Sequence, residues 1–265
     1  MSEELQARLR ELEEENRALK ETLRMREEVI RNTFGRYLTD EVLEDILKHQ
    51  SGPVASGELR CVTMMFADLR SSTALSEQMS PTDFIRMLNH FLEEMIEIIN
   101  AWRGNILEFV GDAIVTVFGA PRPNEDAAQE AVACAVAMQR RMAAVNDWNR
   151  EQGYPPLSMG IGIHTGVAVL GTIGSETRSK YDMIGRNVNL ASRIQGFTAG
   201  GQILISQETL AAAGDKVRIA PSGDRLIQPK GISGDVLVHT VAGFGRSDGP
   251  GYEESPEDEK EGDLP

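Results

Sequence analysis

Between residues 4 and 30 apolar side chains return every three and four positions. Leu9, Leu23 and Ile30 fall on heptad position a with Asn16 between them, and Leu5, Leu12 and Leu19 fall on position d, a row that ends at Arg26. Charged residues fill much of the remainder. This seam predicts a parallel two-stranded coiled coil over residues 1–31, in which a lone Asn at an a position fixes register at some cost in stability. A single amphipathic helix laid on the rest of the chain is the other reading of the same pattern. Arg26 weakens the seam just before the chain leaves the coil.

Beyond a segment at 32–54 and its Ser-Gly-Pro connector, the pattern becomes that of a mixed α+β domain over residues 55–244. Val62–Ala67 is a β-prone run that stops at Asp68, where a polar Arg-Ser-Ser-Thr turn follows. Ser80-Pro81 opens a helix reaching about Asn100, with Phe84, Met87, Leu88, Phe91, Met95, Ile98 and Ile99 on one face. Residues 105–118 read as a hairpin with Gly111-Asp112 at its tight turn. An Ala-rich helix spans roughly Glu125 to Gln152. Met159–Gly166 alternates as a strand, and Val167–Leu170 is expected to form a second one. A helix begins near Asn187, and strands around Gln202–Ser206 and Val236–Val241 complete the sheet.

Composition narrows the function. The chain has 265 residues and a net charge of −14, which argues against non-specific nucleic-acid binding and against an anionic membrane surface. No apolar run approaches a bilayer span, and the polar N-terminus does not read as a signal peptide. Cys61 lies in a strand pattern and Cys134 in a helix pattern, so both are expected to be buried thiols, which suits a reducing cytoplasm. Four scattered His without ligand spacing give no Cys/His metal site. Residues 245–265 carry eight acidic and two basic residues and are expected to form a disordered acidic tail.

Three pieces carry chemistry. Asp68 and Asp112 both sit at strand ends, where carboxylates suit hard, oxygen-loving cations. Their plainer readings are a helix N-cap and a turn residue. The backbone N–H groups of Ser71, Ser72 and Thr73 at a strand-to-helix turn suit phosphate. Asn189 and Arg193 are one turn apart on a helix face, an amide and a guanidinium suited to a developing phosphoryl charge. His164 lies within a strand, which favours a structural role.

The segment Lys180 to Arg193, the run ending at Asp68 and the Gly111-Asp112 hairpin, in this order and spacing, resemble class III nucleotide cyclases. The resemblance implies a ferredoxin-like βαββαβ core with helices packed on a mainly antiparallel sheet. It implies a cyclase transducing element at 32–54, with control arriving through the coil, a partner or an upstream sensor. It further implies a head-to-tail homodimer with shared active sites. Asp68, Asp112 and the backbone carbonyl of Leu69 from one protomer would hold two divalent cations, Mg²⁺ or Mn²⁺. Glu108 and Asp182 from the other would face the base, Asn189 the ribose and Arg193 the transition-state phosphate. Ser71, Ser72, Thr73 and Lys230 would hold the leaving pyrophosphate. The substrate would be a nucleoside triphosphate cyclised at its 3′-hydroxyl.

The chain departs from the family at the base. Four residues before the second metal Asp, adenylate cyclases usually carry a Lys that donates to adenine N1, whereas guanylate cyclases carry a Glu, as here at 108. At the partner position adenylate cyclases carry Asp or Thr, as here at 182. Two acceptors leave adenine N1 without a donor and clash with guanine O6. Each mismatch costs about 1–3 kcal/mol unless one carboxyl is protonated. Asp182 tilts the expectation to ATP. GTP is the first alternative, and a catalytically weak, nucleotide-binding regulatory module is the second.

Overall fold

The computed structural model describes residues 3–34, 57–175, 179–232, 234–245 and 253–254. The chain divides into two units, Met1–Pro53 and Val54–Pro265. In the first, helix α1 spans Glu3–Phe34 without interruption. Leu12, Leu19 and Leu23 of the expected seam are 47, 61 and 54% exposed. The expected transducing element lies outside the described residues from position 35 onward. The acidic tail does so too, except that Glu253–Glu254 form a short strand against Gly243 and Phe244.

The second unit is built on one sheet. Its elements run β1 (Glu58–Leu69), α2 (Ser72–Gln78), α3 (Pro81–Ala101), β2 (Asn105–Val110), β3 (Ala113–Phe118), α4 (Ala127–Glu151) and β4 (Met159–Gly174). They continue as β5 (Ser179–Ile184), α5 (Arg186–Gln195), β6 (Ile203–Ser206), α6 (Gln207–Ala213), β7 (Val217–Ile227), β8 (Val236–Phe244) and β9 (Glu253–Glu254). The strand order is β2-β3-β1-β4-β6-β8-β7, with β5 on β4 and β9 on β8. The first four strands are all antiparallel in the order β4-β1-β3-β2, which is the ferredoxin-like arrangement expected from the sequence. The β4–β6 pair is parallel.

Helices α3 and α4 cover one face. The side chain of Ser80 accepts from the Asp83 N–H and Pro81 occupies the first turn, so α3 starts where the sequence places it. Met87, Phe91, Met95, Ile98 and Ile99 then face inward at helical spacing. They meet Met65, Phe118, Met138, Ile161 and Ile163 in a fully buried core. The opposite face carries a smaller cluster, Val62, Met64, Val115, Val117 and Met183, against Ala191 of α5.

What lets α5 lie on that face is the glycine content of β4. A Cβ on Gly160 would strike Thr198, one on Gly162 would land on the backbone of Gln195, and one on Gly166 would meet Asn187 Nδ2 at 2.6 Å. With hydrogen in those places, the helix packs backbone against strand. His164 stands between these glycines, buried. Its Nδ1 is 2.8 Å from Ser206 Oγ and its Nε2 is 3.2 Å from Asn187 Oδ1, while Asn187 Nδ2 donates to the Val167 carbonyl at 2.9 Å. Burial holds its imidazole below the ordinary histidine range. The structural role expected for His164 is therefore to pin the start of α5.

Two expectations change. Met159–Gly174 is one continuous strand rather than two, because β1 pairs it from Met159 to Leu170 and β5 takes over from Val169 to Gly174. Strands β5 and β7 had no expectation. Cys134 is buried as expected, but Cys61 is exposed. The reason is register: β3 pairs β1 only over Thr63–Ala67, so the first residues of β1 project past it and pair with β4.

Replacing Gly162 by Ala forces Gln195 and α5 away from β4. Overpacking of this kind costs about 1–3 kcal/mol. Chemical denaturation of Gly162→Ala is expected to show that loss. A stability equal to wild type would mean that α5 is free to slide outward.

Candidate active site

Asp68 is the penultimate residue of β1 and shares the α5 side of the sheet with Met64 and Phe66. The chain then turns sharply: Arg70 N–H donates to the Ser158 carbonyl at 2.8 Å, and Ser71 takes a left-handed conformation at φ 61° before α2 begins. This turn brings the Arg70 guanidinium within 3.0 Å of Asp68 Oδ2. Asp112 approaches from the β2–β3 turn, where Gly111 supplies a φ of 66° that other residues rarely adopt.

The two carboxylates are neighbours in a partly dry setting. Burial pushes the Asp68 carboxyl up to about 6, and the negative charge of Asp112 pushes in the same direction; Arg70 and Gln195 offset part of it. Among the described residues, Asp112 Oδ2 is buried without a hydrogen-bond partner. An unpaired buried carboxylate oxygen is costly. Beside a second carboxylate, it fits a divalent cation with oxygen ligands. Beside it opens a recess of about 220 Å³ lined by Ser72, Thr73, Ser76, Gly111, Asp112 and the apolar Phe84 and Leu88. Leu69, expected to lend its carbonyl, ends β1 in register with Met159.

A second cluster joins β2 to β5. A bulge at Leu107 shifts the register, so that Ile106 faces Thr116 and Glu108 faces Val115. Lys180 and Asp182, two apart on β5, share one side of that strand. The Lys180 ammonium forms an ion pair with Glu108 Oε2 and lies 3.0 Å from Asp182 Oδ2. Hydrogen bonds to Glu108 and then Asp182 hold it above the usual lysine range. The Met183 N–H donates to Asp182 Oδ1 at 2.8 Å. Sequence reasoning paired Glu108 with Asp182 but missed the cation between them. The i, i+2 spacing of Lys180 and Asp182 was visible; the contact with Glu108, 72 positions away, was not.

Asn189 and Arg193 are one turn apart on α5 and both are exposed, as is Lys230 after β7. Among the described residues, no hydrogen bond or ion pair joins any of the three to Asp68, Asp112, Glu108 or Asp182. One chain thus assembles the Asp68–Asp112 pair and the Glu108–Lys180–Asp182 cluster, and presents Asn189, Arg193 and Lys230 outward.

The chain is 32% identical over 219 residues to adenylate cyclase 1 of Rhizobium meliloti (strain 1021), covering 81% of this chain and 32% of that protein. It spans about a third of the length of the curated relatives it matches. Among solved structures, the guanylyl cyclase Cya2 is 43% identical with a TM-score of 0.71, over 76% of this chain and 100% of that one. The adenylyl cyclase CyaB from P. aeruginosa is 35% identical with a TM-score of 0.68, over 73% and 99%. The sequence model of the adenylate and guanylate cyclase catalytic domain matches residues 54–241, the span that holds the sheet, α5 and both carboxylate clusters. By that match, this chain belongs to the family of adenylate and guanylate cyclase catalytic domains.

Proposed function

We propose that the chain is a nucleotide cyclase that converts a purine nucleoside triphosphate into its 3′,5′-cyclic monophosphate and pyrophosphate. The observation that carries this is the Asp68–Asp112 pair with its buried, partnerless oxygen. Asp68 and Asp112, with the Leu69 carbonyl, would hold Mg²⁺ or Mn²⁺. Cations bound there would polarise the 3′-hydroxyl and neutralise charge on the phosphates. In the reaction the O3′–Pα bond forms, the Pα–O bond to pyrophosphate breaks, and the hydroxyl proton passes to water. The residues of the chain position and stabilise; they form no covalent intermediate. Ser72 and Thr73, which line the recess beside Asp112, are placed for phosphate oxygens, with Ser71 before them. Arg193 supplies charge to the α-phosphate, Asn189 orients the ribose, and Lys230 receives the pyrophosphate.

Among the described residues, no hydrogen bond or ion pair joins Asn189, Arg193 or Lys230 to the Asp pair, which supports a site completed by a second copy placed head to tail. Phe109 and Val110, on the hairpin that carries Asp112, are half-exposed apolar residues of the kind a partner covers. The uncovered leucine seam of α1 supports a parallel coiled coil that pairs the copies and raises their effective concentration. Two purines compete for the base cluster. Asp182 and the adenylate cyclase relatives favour ATP, and Glu108 and the 43% identity to a guanylyl cyclase favour GTP.

Cyclic nucleotide is expected from ATP or GTP with Mg²⁺ or Mn²⁺, and none above background from Asp68→Ala. Absence of turnover with both nucleotides and both metals returns the chain to the regulatory-module reading. Arg193→Ala is expected to lower kcat about 10²–10³-fold, as loss of one transition-state donor does. Mixing Asp68→Ala with Arg193→Ala protomers should restore about a quarter of wild-type activity, since half the dimers are mixed and each has one intact site. No recovery after verified subunit exchange rules out the shared site.

The Asp68 carboxyl, raised from 3.8 to about 6, gives a pH signature. In the metal-free protein its contribution to stability is fully present below pH 3.8 and is lost as pH rises through about 6. Cation binding opposes that loss. Calorimetric Mn²⁺ titrations should therefore show affinity falling as pH drops through about 6, with proton release on binding in that range. Asp68→Asn is expected to abolish the proton release.

A further inference from the structure

Asp68 already has a cation beside it. Arg70 lies two residues on, past the end of β1, and its Nη2 is 3.0 Å from Asp68 Oδ2 and 3.4 Å from the Asp68 carbonyl. Its backbone is fixed, because its N–H donates to the Ser158 carbonyl at 2.8 Å. Its stem passes Gly200, where a Cβ would lie 3.7 Å from Arg70 Cγ. Its head is held by Asp68 alone: among the described residues it makes no other hydrogen bond or ion pair, and its Nε is buried without a partner. The two side chains are 25 and 35% exposed, so the guanidinium can leave Asp68 for water without crossing the core.

This pair and a metal compete for the same atom. A hard cation binds carboxylate oxygens directly, and a guanidinium hydrogen-bonded to Oδ2 occupies the approach to that oxygen. Arg70 also cancels one of the two negative charges that Asp68 and Asp112 offer when ionised, and it repels a cation arriving nearby. Its charge offsets part of the rise that burial and Asp112 impose on the Asp68 carboxyl, as a counter-ion does. A residue that fixed the Asp68 carboxylate for metal would be expected to grip it with the bidentate fork of the guanidinium and to be anchored by bonds of its own. Arg70 does neither: one nitrogen makes the contact, and Nε is left unpaired.

We propose that Arg70 is the resident counter-ion of Asp68: a divalent cation binding at the Asp68–Asp112 pair displaces its guanidinium, and Arg70 thereby sets the metal concentration at which the site loads. This rests on reading the two carboxylates as metal ligands of a cyclase. Arg70 acts through Asp68 and not on the substrate. The two roles open to it predict opposite signs. A counter-ion weakens metal binding, so its removal tightens it; an orienting residue strengthens metal binding, so its removal weakens it.

The test is Mn²⁺ binding to the full-length protein without nucleotide, read by electron paramagnetic resonance as loss of the free-ion signal. Asp112→Asn serves as the blank, because a chain of net charge −14 holds some Mn²⁺ on other acidic groups. Arg70→Met keeps the stem and removes the charge. Its Mn²⁺ affinity above the blank is expected to rise about 3- to 10-fold, the range for a part-exposed charge pair. Arg70→Lys keeps a charge and should stay near wild type. Affinity that is unchanged or weaker in Arg70→Met overturns the proposal, and so does a lack of binding above the blank in both wild type and Arg70→Met. Product formation from ATP and GTP at high Mn²⁺, measured alongside, separates this from the function. Turnover with unchanged affinity leaves the cyclase reading standing and removes only the role of Arg70. Tighter Mn²⁺ binding without turnover upholds the counter-ion at a metal site and fails the cyclase reading. Melting curves report folding; should Arg70→Met not fold, Arg70→Gln, also uncharged, decides the same question.

Discussion

The close approach of α5 to β4 is the contact on which the site depends. Three glycines on one side of β4 admit the helix backbone, and Gln195 sits where a Cβ on Gly162 would be. Gln195 then links two functions. Its Nε2 donates to the Gly160 carbonyl at 3.4 Å, and its side chain also bonds the Asp68 carboxylate and lowers its pKa. The helix that presents Asn189 and Arg193 is thus tied at its far end to the carboxylate expected to hold metal. His164 ties its near end through Asn187. A helix clamped at both ends keeps a four-residue spacing between an amide and a guanidinium rigid, which electrostatic stabilisation of a phosphoryl transition state requires.

Charge is the second constraint. On the proposed reading a chain of net charge −14 accepts a polyanion. Its placed cations are Arg70 beside Asp68, Lys180 between two acids, and Arg193 and Lys230 on the surface. Arg70 and Lys180 are already engaged by carboxylates. Metal at the Asp pair and the exposed Arg193 and Lys230 would therefore carry most of the phosphate charge, consistent with a family in which divalent cations are general.

Much of this was legible in the sequence, for physical reasons that differ by element. Helix α3 announced itself through a Ser-Pro start and strict 3.6-residue periodicity, and the β2–β3 hairpin through a Gly-Asp turn between apolar runs. Asp68 and Asp112 stood out because a charge ended each apolar run. The sequence could not show that β4 runs on unbroken past Gly166, since a strand that exchanges one partner for another carries no break in its own pattern. Nor could it show that Cys61 is exposed, which depends on where β3 ends. Lys180 escaped for a related reason. Its meaning lies in a pairing with Glu108 across two strands that are not neighbours in the sheet, and no local periodicity encodes that.

In the proposed head-to-tail dimer the short β2–β3 hairpin would have a further role. Glu108 and Asp112 are four residues apart on it, yet they would serve different active sites, the acid at 108 facing the base in one and the acid at 112 holding metal in the other. A ligand that orders the hairpin from one side would alter the entropy left to lose on the other. The two sites would then be thermodynamically linked through a single turn of backbone.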